Sequence, residues 1–136
     1  MEKEFISYEQ ALALKEIGFD EHVFFTYNHS KDLIFEDDGP NRNSDIDYYN
    51  DDWTICAAPL KQQTFKFFRD KYDLYLTITD AEIYASNQSG YRWRWMIFKP
   101  IVDVCISIDK SLLGHLTYEE AENDCINKLI ELAKQY

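Results

Sequence analysis

Cysteine, glycine, histidine and basic residues are all scarce in this chain, and each shortage closes off a class of function. The three cysteines, Cys56, Cys105 and Cys125, are odd in number and widely separated. They form neither a disulfide framework nor a Cys-x-x-Cys metal or redox motif. Four glycines are too few for a loop that cradles phosphate in backbone amides. The three histidines, His22, His29 and His115, belong to no His-x-x-x-His or Cys/His cluster, so no metal ligand set and no cofactor is expected. Lysine and arginine total 14 against 25 acids, giving a net charge of -11 and a pI near 4.6. Such a surface repels phosphate backbones, which argues against a nucleic-acid partner and an anionic membrane surface. No apolar run is long enough to span a bilayer, and Met1-Glu2-Lys3-Glu4 lacks the basic-then-apolar pattern of a secretory leader. A cytoplasmic protein with reduced thiols is the expectation.

What the chain has in quantity is aromatic surface: ten Tyr, nine Phe and three Trp among 136 residues. That is material for one dense core, so residues 1–136 are expected to form a single globular domain. Ser7-Tyr8-Glu9-Gln10 is a capping box. Behind it, Tyr8, Ala11, Leu14 and Ile17 share a helical face and Gly18 stands where a helix closes, which predicts a helix over 8–17. His22–Tyr27 and Asp32–Phe35 read as a hairpin turning at 28–31, and Trp53–Cys56 as a short strand. After Pro59, Leu60, Thr64, Phe65, Phe68 and Tyr72 form an apolar stripe facing away from Lys61, Gln62, Lys66, Arg69 and Asp70. Leu74, Leu76 and Ile78 alternate with Tyr75, Thr77 and Thr79, the period of a half-buried strand, and a turn is expected at 87–90. Strands over 91–98 and 101–108 follow. Thr117-Tyr118-Glu119-Glu120 opens a last helix, with Tyr118, Ala121, Cys125, Leu129, Leu132 and Tyr136 on one apolar face, Ile126, Ile130 and Ala133 beside them, and Glu119, Glu122, Asn123, Lys128 and Glu131 toward water. The order is α-β-β-(β)-α-β-β-β-α: an α+β fold with a mainly antiparallel sheet and about three helices.

Two stretches stand apart. Residues 36–52 carry seven acids (Glu36, Asp37, Asp38, Asp45, Asp47, Asp51, Asp52) against Arg42 alone, with Gly39-Pro40 and three Asn, and read as an acidic surface loop that folding does not require. Asn41, Asn43, Asp45, Asp47 and Asp52 imitate the oxygen spacing of a calcium loop, but Ile46 stands where its sharp turn needs Gly. In Tyr91-Arg92-Trp93-Arg94-Trp95, strand alternation puts Tyr91, Trp93 and Trp95 on one face and Arg92 and Arg94 on the other. With the rings inside, two guanidinium groups stand outward, a pairing suited to a carboxylate or phosphate.

Three segments, FISYEQALALKEIGFDE at 5–21, AAPLKQQTFKFFRDKYDLY at 57–75 and TYEEAENDCINKLIELA at 117–133, together resemble a family of small uncharacterised proteins of Bacteroidota phages, prophages and mobile elements. They cover a little over a third of the chain. The resemblance implies a host bacterial cytoplasm and brings no established activity, hence no catalytic residues. The stretches 36–52 and 91–95 depart from that family's usual pattern. The leading expectation is a non-enzymatic module that binds a host or phage protein through Asp37, Asp38, Asp45, Asp47 and neighbouring aromatics. The alternatives are a binder of a small anionic ligand through Arg92 and Arg94, and an enzyme whose site no motif reveals. The oligomeric state is not legible.

Overall fold

The computed structural model describes residues 2–49, 53–80, 93–100, 104–109 and 114–136. The fold is α+β: the described residues form two three-stranded antiparallel sheets and one more α-helix than the sequence announces. The chain divides into two compact units, residues 1–64 and 65–136, with the division falling inside a helix.

In the first unit, α1 (Tyr8–Glu16) starts at the expected capping box. Gln10 N–H donates to Ser7 Oγ at 3.2 Å, and Ser7 N–H donates back to Gln10 Oε1 at 3.0 Å. The helix closes at Gly18, whose φ of +93° is a left-handed geometry that glycine adopts without steric cost. The strands β1 (Phe25–Asn28), β2 (Leu33–Phe35) and β3 (Thr54–Ala57) form a sheet in the order β2-β1-β3. Thr26 faces Ile34 on one side and Ala57 on the other. Asn28 shapes the hairpin: its Oδ1 accepts from Ser30 N–H and Asp32 N–H at 2.9 and 3.0 Å. Ile6, Leu14, Phe19, Val23, Cys56 and Ala57 are buried, and the hydroxyl of buried Tyr27 donates to the Ile6 carbonyl at 2.6 Å.

The expected acidic loop is not irregular throughout, because α2 (Asn43–Tyr49) occupies part of it. Two residues fix this helix. Asn43 is buried, donating from Nδ2 to the Phe19 carbonyl at 2.7 Å and accepting at Oδ1 from Ala57 N–H at 2.8 Å. Ile46, the residue that spoils a calcium loop, is buried too. The acids around them obscured a helix that its neighbours, and not its own propensity, hold in place.

The helix α3 (Lys61–Tyr72) begins in the first unit and ends in the second. Leu60 and Lys61 reverse the expected pattern, with Leu60 exposed and Lys61 buried. Leu60 precedes the helix and pairs as an isolated bridge with Phe5, so the helical period does not govern it. In the second unit, Phe65, Phe67 and Phe68 are buried. Asp73, at φ +56°, then ends the helix and delivers buried Leu74 to β4 (Tyr75–Asp80). The strands β4, β5 (Trp93–Lys99) and β6 (Val104–Ile108) pair antiparallel in that order. The expected turn at 87–90 lies outside the described residues. On β5, Trp95 and Ile97 are buried and Met96 is exposed, the alternation read from the sequence.

Against β5 lies α4 (Tyr118–Ala133), whose Glu120 N–H donates to Thr117 Oγ1 at 3.1 Å. The carboxylate of Glu120 reaches one residue beyond the usual capping box and accepts from Leu116 N–H at 3.1 Å. Its buried face comprises Ala121, Glu122, Cys125, Ile126, Leu129, Ile130 and Ala133, while Tyr118 in its first turn and Tyr136 beyond its end, expected on that face, are exposed. Glu122, expected in water, is therefore buried: it sits one turn before Ile126 and belongs to the same broad stripe.

Leu129 is fully buried, so Leu129→Ala is expected to cost about 2–5 kcal/mol. Exposed Glu131→Ala should change stability by no more than about 0.5 kcal/mol. Thermal melts of the two variants check the helix face, and equal effects would contradict it. Asn43→Ala strands a buried carbonyl and a buried amide, and should destabilise by about 2 kcal/mol or more in urea melts. Asp45→Ala, which removes a partly exposed ion pair with Arg42, should cost no more than about 1 kcal/mol.

Candidate metal centre

Three side chains that no common helix or strand carries meet beside β5. Asp109 follows β6 directly, and its N–H donates to the Trp95 carbonyl at 3.0 Å. His115 is strapped to the head of β5: its N–H donates to the Trp93 carbonyl at 2.7 Å, and Trp93 N–H donates back at 3.0 Å. Buried Gly114, at φ +81°, turns the chain into this bridge through a conformation closed to most side chains. Asp124 projects from the second turn of α4. Trp95 joins the core to the group, since its ring is buried and its Nε1 donates to Asp124 Oδ2 at 2.7 Å.

His115 Nε2 lies 3.0 Å from Asp109 Oδ2 and 3.3 Å from Asp124 Oδ2. One ligand atom from each residue falls within 4.8 Å of the other two. Among the described residues nothing aligns with Nε2 as a hydrogen bond requires, although two carboxylate oxygens stand so near. A nitrogen and oxygens that close together, without a proton aligned between them, match ligands around a shared cation. With metal–ligand bonds of about 2.0–2.2 Å, tetrahedral edges are about 3.3–3.6 Å and octahedral edges about 2.8–3.1 Å. The side chains of Asp109, His115 and Asp124 are 2%, 19% and 47% exposed, so the group runs from the core to solvent.

A cavity of about 410 Å³ opens on the group, lined also by Ser107, Ile108, Asn127, Lys128 and Glu131. Lys128 Nζ is 3.0 Å from Glu131 Oε1. Burial first, then the Asp124, Asp109 and Glu122 carboxylates, push the thiol of Cys125, next to Asp124 in the chain, far above the usual range. Burial likewise pushes the Cys56 thiol up to about 11. Both thiols are therefore held protonated at neutral pH, and neither is a ready nucleophile.

The residues singled out from the sequence lie elsewhere. Asp37 and Asp38 are exposed in the turn after β2, while Asp45, ion-paired with Arg42 at 3.2 Å, and Asp47 are on α2. These four belong to the first unit, and Arg94 belongs to the second. Arg94 sits on the β5 face opposite Trp95, across from Thr79, half-buried and engaged in contacts of its own. Arg92 lies outside the described residues. In the sequence His115 belongs to no cluster of ligand residues, and no spacing motif links it to Asp109 or Asp124. The only local signal was Gly114-His115 ahead of a helix cap.

The chain matches no family model, no curated protein and no solved structure. Its chemistry is accordingly read from its own atoms.

Trp95 and Asp124 should depend on each other. A double-mutant cycle of Trp95→Phe and Asp124→Ala is expected to return a coupling of about 1.5–3 kcal/mol, the range for a hydrogen bond to a charged group. Additive losses in urea melts would show that the indole does not hold the carboxylate.

Proposed function

We propose that this is a divalent-metal-binding protein, with Asp109, His115 and Asp124 as the protein ligands. The observation that carries the reading is His115 Nε2 facing two carboxylate oxygens at 3.0 and 3.3 Å, with no hydrogen bond made to it among the described residues. One imidazole and two carboxylates form a borderline-to-hard donor set, suited to zinc, manganese or another first-row ion. Three protein ligands leave a coordination position, and the adjoining cavity gives a small molecule access to it. The main-chain pairing of His115 with Trp93 and the indole bond to Asp124 orient two ligands before any ion arrives, as outer-sphere partners do in metal sites.

Calorimetric titration of the full chain with zinc and with manganese tests this. One ion per chain is expected, with a loss of about 100-fold or more in affinity for His115→Ala. Far-UV circular dichroism of that variant should match the wild type. The absence of saturable binding, or a His115→Ala variant that binds equally well, would contradict the proposal.

A second reading concerns the first unit, where a specific observation favours a protein partner. Glu2, Tyr8, Glu9, Tyr27, Lys31, Asp32 and Leu33 line a recess of about 320 Å³. The ammonium of Lys31 already sits 5.3 Å from the Tyr8 ring centroid and 3.7 Å from Glu9 Oε1. Aromatic faces and carboxylates together attract ammonium groups, and the recess carries three acids against one lysine. This supports a module that grips a basic side chain of a host or phage protein, in the bacterial cytoplasm that the sequence resemblance implies. Affinity capture from a host lysate is expected to yield one stoichiometric partner that Glu9→Ala/Tyr8→Ala no longer retains, and equal retention by the variant would contradict it.

A further inference from the structure

We infer that the metal centre takes a small organic phosphate, one phosphoryl oxygen bound to the ion and another held by Lys128; this rests on the metal reading above. The argument begins with charge. Asp109, Asp124 and Glu131 outnumber Lys128 in the cavity, so without an ion the cavity repels anions. A divalent ion offsets the two ligating carboxylates and reverses that preference at the open coordination position.

Geometry narrows the class. Lys128 follows Asp124 by four residues on α4, so the two side chains share a face of the helix and open on the same cavity. The lysine is paired with Glu131 at 3.0 Å, with side chains 29% and 60% exposed, and so weakly enough to exchange that partner for a ligand. Ser107 and Asn127 add neutral hydrogen-bonding side chains to the wall. A carboxylate has two oxygens, which the ion and Lys128 together would use up. A phosphoryl group has a third for Ser107 or Asn127, and lysine is a common point-charge partner for it. The cavity, at about 410 Å³, has room for more than the phosphoryl group, and half-exposed Ile108 gives an organic body apolar surface.

Cobalt(II)-loaded protein, whose visible absorption reports the coordination shell, is titrated with phenyl phosphate, inorganic phosphate and benzoate. A saturable spectral change is expected with phenyl phosphate, weaker by about tenfold or more with benzoate. Inorganic phosphate should bind less tightly than phenyl phosphate. Lys128→Ala should bind cobalt as the wild type does and lose about tenfold or more in affinity for phenyl phosphate. Cobalt uptake with a spectrum indifferent to phenyl phosphate would overturn the inference and leave the metal reading standing, as would an unchanged Lys128→Ala. Phenyl phosphate binding equally well to the metal-free chain would do the same. Failure to take up cobalt would overturn both.

Discussion

The register of β5 places both the core and the site of the second unit. With Trp95 and Ile97 turned inward, the carbonyl of Trp95 meets the Asp109 amide, its indole meets Asp124, and the two main-chain bonds of Trp93 hold His115. Each potential ligand is thus tied to β5 by a different bond. A slip of one residue would bring Arg94 and Met96 inward and exchange every one of these partners. Burial of the Trp95 ring opposes that slip, so the hydrophobic effect that forms the core also positions the polar group at its margin.

The same arrangement concentrates negative charge. Asp109 is almost wholly buried and Asp124 half-exposed, with His115 between them. Carboxylates brought this close repel one another, and burial removes the water that would screen them. A divalent cation would relieve that repulsion while coordinating all three side chains, whereas an imidazolium would supply one positive charge.

Local chemistry was legible in the sequence; long-range pairing was not. Ser7 and Thr117 cap α1 and α4 where their spacing to Gln10 and Glu120 says they should, and the alternation along β5 follows from Trp95 and Ile97. Glu122 and Lys61 were misplaced because a charged residue on an apolar stripe is read as solvated, while tertiary packing can bury it. The helix α2 was missed because its anchors are partners distant in sequence: Asn43 bonds Phe19 and Ala57, 24 and 14 residues away. The candidate centre was hidden for the same reason. Asp109, His115 and Asp124 are spaced by no helical or strand period, and main-chain bonds to β5 together with the Trp95 indole bring them together. The acidic composition drew the reading to Asp37, Asp38, Asp45 and Asp47, where acids are numerous, and away from the two acids that face a histidine.

The most direct test of the central claim is the X-ray absorption fine structure of the zinc-loaded protein, which reports ligand type and number independently of affinity. The account predicts a first shell of nitrogen and oxygen alone at about 2.0–2.2 Å, with the outer-shell scattering of one imidazole. A sulfur shell at about 2.3 Å, or the scattering of more than one imidazole, would contradict it.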